Sequence, residues 1–307
     1  MPTTMHRLVL ALLLPVTSAV AQQGCLDQSY LPTLNNGLEV TANQTVAQTF
    51  TVGRAGTLAT VEIARINHHR GTPTQNLEVR IVATDANGTP NGATLASTVL
   101  LPAQVPATSG TLSVDVRSAA IAVVPGMVLG IRLSSLAAPS SQTYAWWGTA
   151  PGATYANGQT WINDNTSLSA WDLSFQTFVD IQASASNYGS GHPGTFGVPT
   201  IQASATPVIG TAIDIVVGNA SGAPTQAALF AGLGAQSLPT PFGGTLLVQI
   251  DANLPVALSA TDGRVTLSIP NNATLCGASV YFQAVHADAA ASAGLAFTPG
   301  LALAIGS

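Results

Sequence analysis

The side chains best suited to binding chemistry fall in one stretch, because all four tryptophans of the chain lie between residues 144 and 171. A sugar stacks its apolar face on an aromatic ring and hydrogen-bonds its hydroxyls to amide or carboxylate groups. The stretch is therefore a candidate carbohydrate-binding surface. It combines aromatic rings with short polar side chains: Tyr144, Trp146, Trp147, Trp161, Asn163, Asp164 and Trp171.

Core packing is the competing interpretation of the same rings, since β-sandwiches routinely bury a tryptophan. On a strand, Tyr144 and Trp146 share one face and Trp147 takes the other, so at least one ring is expected to meet the core. Residues 171–178 have the pattern of a closing strand. This leaves residues 144–165 as the main candidate surface.

Two carboxylates in this region, Asp164 and Asp172, are the pair that glycoside hydrolysis would need, about 5 to 9 Å apart across a sugar. Asn163-Asp164-Asn165 is also a typical turn sequence, in which short polar side chains bond their own backbone. Asp172 is expected to cap the entry to the last strand. Glycoside hydrolysis is the weakest of the alternative functions.

Other catalytic and metal-binding templates are missing from the sequence. No G-x-S-x-G, H-E-x-x-H or C-x-x-C motif occurs. His68 and His69 are adjacent, so on a strand they point to opposite faces and do not share a metal ion. We predict no catalytic residue, no cofactor and no histidine metal site; calcium is the one ion that the Asp and Asn turns at 163–165 and 85–87 could hold.

The chain carries very little charge. Charged residues make up 7% of it, against about 25% in an average soluble protein. Eight basic residues, all arginine, face thirteen acidic ones, which argues against nucleic acid as a partner. Natural proteins guard exposed strand edges with lysine, and this chain has none, so we expect self-association.

The first residues have the layout of a secretory signal peptide, predicted over residues 1–21. His6 and Arg7 precede an apolar run at 8–14, and the run is followed by Ala19-Val20-Ala21, a small-x-small cleavage site. The run is shorter than the roughly 20 apolar residues that a membrane span needs. We expect a secreted or cell-surface protein without a transmembrane segment.

The two cysteines of the chain, Cys25 and Cys276, would enter an oxidising compartment after export. Their spacing alone does not show that they pair, because a disulfide needs Cα atoms within about 7 Å. The pairing stays open at this point.

The hydrophobic pattern beyond the signal alternates with period two. Leu77, Val79 and Ile81 alternate with Glu78 and Arg80, as in a half-buried strand. Turn signals such as Asn-Gly at 36–37 separate such runs. The pattern predicts an all-β protein of two antiparallel β-sandwich domains at residues 26–182 and 199–307, joined by a Ser-, Ala- and Gly-rich linker at 183–198.

Several motifs resemble those of large families of uncharacterised bacterial secreted proteins. The second domain carries YGSG at 188–191, PGT at 193–195 and LALAIG at 301–306; the first carries QTFTV at 48–52, GQTW at 158–161 and DLSFQTF at 172–178. The resemblance implies a jelly-roll-like sandwich followed by an immunoglobulin- or fibronectin-like one. It implies an extracellular accessory role and supplies no catalytic residues.

Two hypotheses about function follow. The first is a secreted, non-catalytic interaction or structural protein. The second is a carbohydrate-binding module that uses the tryptophan-rich region, with a glycan or cell-surface polymer as its partner.

Overall fold

The computed structural model describes residues 24–135, 140–152 and 155–307. The predicted signal peptide lies outside the described residues. Within them, the chain forms strands and four short 3-10 turns at Pro102–Gln104, Arg117–Ala119, Ala273–Leu275 and Ser292–Gly294. The described residues include no helix long and apolar enough to cross a membrane. All pairings between the strands are antiparallel, and the predicted all-β class is confirmed.

The first domain is a β-sandwich made by two sheets. Its strands are β1 (Cys25–Tyr30), β2 (Asn36–Val40), β3 (Val46–Thr51), β4 (Gly56–Arg70), β5 (Leu77–Ala83), β6 (Thr94–Leu100), β7 (Gly110–Asp115), β8 (Ala122–Val123), β9 (Val128–Ser134), β10 (Thr143–Thr149), β11 (Thr160–Ile162), β12 (Thr166–Leu168), β13 (Asp172–Leu173) and β14 (Phe175–Asp180). One sheet runs β1-β14-β4-β10-β13, with β2 on β10 and with β7 and β8 on β4; the other runs β12-β11-β3-β9-β5-β6.

The core of this domain lies between its two sheets. Leu77, Val79 and Ile81 of β5 are buried, as their alternation predicts. Phe50 from one sheet meets Phe175 from the other with ring centroids 5.9 Å apart. Alternation therefore places one apolar face of each sheet inward, and the rings join the two layers.

The second domain is built from eleven strands around a separate core. They are β15 (Ser184–Tyr188), β16 (Ile201–Ala203), β17 (Ala212–Gly218), β18 (Thr225–Gly232), β19 (Ala235–Pro239), β20 (Thr245–Val248), β21 (Ala252–Leu258), β22 (Asp262–Ser268), β23 (Ser279–Ala287), β24 (Leu295–Phe297) and β25 (Gly300–Ala304). The largest sheet runs β15-β25-β23-β18-β21, with β24 on β23; β16-β17-β22 and β19-β20 form two smaller sheets.

The predicted linker at 183–198 is wrong over much of its length. Residues 184–188 of it form β15, which pairs with β25 from Ser184 opposite Ala304 to Tyr188 opposite Gly300. The side chain of Asn187 donates to the carbonyl oxygens of Ile201 and Gly300. Small polar residues resemble a linker in composition, but the backbone of this segment completes the edge of a sheet.

The predicted turn at Asn36-Gly37 is also wrong, because both residues belong to β2. Gly37 pairs with Trp147 of β10, and a Cβ at Gly37 would lie 2.9 Å from the indole ring. Glycine is needed here because the ring lies across the strand, where a side chain would collide with it.

The two domains are joined by covalent and polar contacts. Cys25 and Cys276 form a disulfide with Cα atoms 5.7 Å apart, and both are buried with the core of the second domain. Arg54 donates to the carbonyl oxygen of Cys276 at 2.9 Å. Ile181 packs against both cores, and its carbonyl accepts from the backbone N–H of Ser307. The first strand of one domain is therefore fixed to the other domain.

Candidate functional site

Two of the predicted ligand-binding rings belong to the core. Tyr144 and Trp146 of β10 are both 0% exposed. The Tyr144 hydroxyl donates to the carbonyl of Gln75 at 2.6 Å, and the Trp146 indole N–H donates to the carbonyl of Ser174 at 2.8 Å. Their prediction as ligand-binding residues is wrong, since each polar atom is used inside the fold and neither ring reaches the surface.

Trp161 lies on the outer face of the six-stranded sheet but is only 9% exposed. In the strand register, Trp161 of β11 lies opposite Ala47 of β3, and Ala47 lies opposite Arg132 of β9. Asp164 reaches across this row and forms an ion pair with Arg132 at 2.8 Å. Four enclosed side-chain atoms here have no hydrogen-bond partner among the described residues: Thr45 Oγ1, Arg132 Nε, Trp161 Nε1 and Asp164 Oδ1. Because Trp161 is covered, it does not form the predicted sugar platform.

Asn163 and Asp164 form the turn between β11 and β12. Both adopt the left-handed backbone conformation, with φ of 51° and 57°, which Asn and Asp tolerate better than most residues. The Asn163 side chain accepts from the backbone N–H of Thr45 and donates to the carbonyl of Asn43. Burial raises the pKa of Asp164, partly offset by the arginine beside it. Both side chains therefore hold the hairpin to the sheet.

Trp147 lies on the face of the eight-stranded sheet opposite to that of Trp146, and it is partly exposed. Its indole N–H donates to the side chain of Asn67, and its ring meets His69 edge-on with centroids 6.0 Å apart. The neighbouring Glu39 carboxylate pairs with Arg70 at 2.7 Å. This ring is held flat against β2 within a polar, charged surface.

Trp171 lines an open cleft in the described part of the chain. The cleft has a volume of about 380 Å³. We call it the Trp171 cleft; its lining residues are Tyr155, Ala156, Gly158, Gln159, Ser169, Trp171 and Asp172. The indole packs partly against the core and stays partly exposed. The cleft combines two aromatic rings with amide, hydroxyl and carboxylate groups.

Tyr155 is fixed at the base of the cleft by other rings and by a hydrogen bond. Its ring meets Phe175 edge-on at 5.2 Å and Tyr30 at 5.6 Å. Its hydroxyl donates to the side chain of Gln28 at 3.0 Å. Burial, with smaller contributions from the carboxylates of Asp27 and Asp172, raises the pKa of Tyr155 well above its ordinary value. The ring is therefore un-ionised and held by several contacts, as a stacking surface requires.

A buried polar network supports the cleft from below. Asp172 is 3% exposed, and its carboxylate accepts from the backbone N–H of Tyr155 at 3.0 Å and from the side chain of Gln48 at 3.2 Å. The Gln48 amide oxygen accepts from the Thr160 hydroxyl at 2.7 Å and from the backbone N–H of Leu173 at 2.8 Å. Burial raises the pKa of Asp172. The network joins β3, β11 and β13 to the Tyr155 loop.

The two carboxylates of the region each bind a separate set of partners inside the fold. Asp172 is held by Gln48 and the Tyr155 backbone, and Asp164 is held by Arg132. The turn at residues 85–87 was the second possible calcium site. There, both oxygens of Asp85 accept hydrogen bonds from the loop, including those from the backbone N–H groups of Asn87 and Thr89. The described residues contain no group of three or more His, Cys, Asp or Glu arranged to hold a metal ion.

Sequence reasoning missed Tyr155, Gln159 and Gln48 as parts of this site. The sequence motifs did contain these positions in part. QTFTV, GQTW and DLSFQTF include Gln48, Thr160 and Leu173, and these three residues are joined by hydrogen bonds in one network. The motifs are far apart in the chain, so only the fold shows that they act together. Comparisons of this chain with protein-family models and with curated proteins find no match.

Proposed function

We propose that this protein is a secreted, non-catalytic interaction protein whose Trp171 cleft binds a neutral carbohydrate. The observation that carries the proposal is the cleft itself, in which a partly exposed indole stands beside Tyr155 and next to polar side chains. An open, ring-lined cleft with a few fixed polar groups is typical of a sugar site.

The lining chemistry favours a neutral ligand over an acidic one. None of the described lining residues is basic, and Asp172 contributes a carboxylate at the base. A negatively charged polymer would meet this carboxylate with no cation to offset it. Gln159 and Ser169 offer donors and acceptors that suit sugar hydroxyls.

The fixed position of Tyr155 supports ligand stacking. Tyr155 is held by two rings and by two hydrogen bonds, one through its hydroxyl and one through its backbone N–H. A preorganised ring loses little conformational entropy when a ligand stacks on it. Export rests on the predicted signal peptide and is part of the same proposal.

The test is titration of the purified protein with a panel of neutral polysaccharides, followed by tryptophan fluorescence and by retention in affinity electrophoresis. Trp171→Ala is expected to weaken binding at least about tenfold, equivalent to about 1.4 kcal/mol. Trp147→Ala is the matched control, because that ring is also partly exposed but lies outside the cleft. Retention on no glycan, or equal loss in both variants, would remove the cleft as the binding site.

A further inference from the structure

A group of enclosed polar atoms lies on the outer face of the six-stranded sheet, around Ala47. Trp161 and Arg132 lie opposite Ala47 on the two neighbouring strands, so all three side chains share one face. Asp164 reaches the same place, because its carboxylate pairs with Arg132 at 2.8 Å. Ala47 is 1% exposed although its neighbour Val46 is the residue that points into the core between the sheets. The methyl group of Ala47 is therefore covered by the larger side chains beside it.

Four polar atoms around Ala47 are enclosed and have no hydrogen-bond partner in the described part of the chain: Thr45 Oγ1, Arg132 Nε, Trp161 Nε1 and Asp164 Oδ1. Thr45 comes two residues before Ala47, which places both side chains on the same face of an extended chain. Trp161 as a whole is only 9% exposed. An enclosed polar group without a partner destabilises a fold, and native proteins leave few such groups. Four of them together point to a bound molecule that satisfies them.

We propose that this cluster is a binding site for one buried water molecule. The Arg132 Nε–H and Trp161 Nε1–H groups are donors. Asp164 Oδ1 is an acceptor, and the Thr45 hydroxyl can act as either. A water molecule accepts two hydrogen bonds and donates two, which matches this set when the hydroxyl is the second acceptor. Buried waters typically make about three hydrogen bonds to groups that have no other partner.

The charges around the cluster select a neutral molecule over an ion. A chloride ion would accept from Arg132 and Trp161 but would lie against the Asp164 carboxylate. A sodium ion would suit that carboxylate but would face two N–H donors, one of them on a guanidinium group. Arg80, which lies opposite Arg132 on β5, is itself paired with Glu78 at 2.7 Å. Each cation of the row therefore already has its carboxylate, and no charge is left for an ion to balance.

The water holds the β11–β12 hairpin to the rest of the sheet. Two of its four partners belong to this hairpin and its turn, and the other two belong to the start of β3 and to β9. Gln159 comes directly before β11 and Ser169 directly after β12, and both line the Trp171 cleft. The water site therefore positions two polar groups of the cleft; this consequence alone rests on the proposed function.

A high-resolution crystal structure of the full chain, grown with bromide in place of chloride, tests the occupant. We expect one ordered water within hydrogen-bond distance of at least three of the four atoms, and no anomalous bromide signal there. A bromide peak at the site overturns the proposal. So does a water that reaches fewer than three of the atoms, or a dry cluster in which Arg132 Nε and Asp164 Oδ1 bond each other directly.

Thr45→Val distinguishes a bonded hydroxyl from an unsatisfied one by the sign of its effect. Valine keeps nearly the same shape but removes one partner of the water, so we expect a lower thermal midpoint and several-fold faster amide hydrogen exchange in residues 160–168. Thr94→Val is the matched control, because Thr94 is an exposed threonine on β6 of the same sheet, and it should change neither.

An unchanged or higher midpoint in Thr45→Val overturns the proposal, because removal of an unsatisfied hydroxyl does not destabilise a fold. An equal loss in both variants overturns it as well. Neither the crystal structure nor these measurements use a glycan, so their outcome is independent of whether the Trp171 cleft binds one.

Discussion

The Asp172 carboxylate and the backbone N–H of Tyr155, 3.0 Å apart, join the strand that follows Trp171 to the loop that carries the second ring of the cleft. The two aromatic residues of the cleft are therefore linked through one buried hydrogen bond. Its acceptor is a carboxylate 3% exposed, and the only side chain that donates to it among the described residues is that of Gln48.

Asp172→Asn is predicted to change how stability depends on pH. Burial raises the folded-state pKa of Asp172 above its unfolded value of about 3.9, so the stability it contributes is fully present below that value and is lost as pH rises through the folded pKa. Asparagine does not titrate. The free energy of unfolding of the variant minus that of the wild type should therefore increase as pH rises from 4 to 7, as measured by urea denaturation.

Asp85→Asn provides the contrast for that experiment. Hydrogen bonds, chiefly from the Thr89 backbone, lower the pKa of Asp85, so its stabilising contribution is present above the unfolded pKa and is lost as pH falls. This variant should lose stability relative to wild type as pH rises from well below the unfolded pKa of about 3.9 to about pH 5. The same trend in both variants would contradict the assignment of opposite shifts.

Gln48→Leu is predicted to destabilise the first domain by about 3 kcal/mol or more. Removing the amide leaves the Thr160 hydroxyl and the Leu173 N–H without their acceptor, and each buried unsatisfied group costs about 1 to 3 kcal/mol. Gln202→Leu is the control, because Gln202 is exposed and surface substitutions change stability by about 0.5 kcal/mol or less. Denaturant titration separates the two, and similar midpoints would show that the network contributes little.

Loss of the Cys25–Cys276 disulfide is predicted to lower stability by up to about 5 kcal/mol. The bond closes a loop with a sequence separation of 251, and the loop-entropy model assigns stabilisation of that size to constraint of the unfolded chain. A Cys25→Ala/Cys276→Ala variant and the reduced wild type should unfold at similar, lower denaturant concentrations. An unchanged midpoint in both would show that the contacts of Arg54 and Ile181 hold the domains without the bond.

Tyr144→Phe is predicted to make the protein less sensitive to alkali. Burial raises the pKa of Tyr144 from 10 to about 12. The stability that Tyr144 contributes is therefore fully present below pH 10 and is lost as pH rises toward 12. The drop in unfolding free energy between pH 9 and pH 11.5 should be smaller in the variant than in wild type; equal drops would show that other groups govern alkaline unfolding.

Local patterns predicted the fold class because alternation is a property of the strand itself. Leu77, Val79 and Ile81 point inward wherever β5 is placed, since successive side chains point to opposite faces. The same logic failed at 183–198, where β15 is mostly exposed and has no apolar face to mark it. Its structure depends on hydrogen bonds to β25, more than 110 residues away in sequence.

The candidate site was only partly predictable for a related reason. The sequence marked Trp171, but it also marked Tyr144, Trp146 and Trp161, which are buried. A tryptophan on a strand has an inward or an outward face, and its exposure depends on what the rest of the chain lays over it. Trp161 is 9% exposed, and the turn that follows it folds back so that Asp164 pairs with Arg132.

By itself, the sequence determined the all-β class, the inward faces of strands such as β5 and the low charge of the chain, because these follow from residue type and spacing. The tertiary structure alone decided which rings stay accessible, that Cys25 reaches Cys276, and that Gln48, Thr160 and Asp172 meet beneath Tyr155. The disulfide and the hydrogen bonds of Gln48 join residues more than 100 positions apart, and contacts of that kind are set by how the sheets pack, which no local pattern encodes.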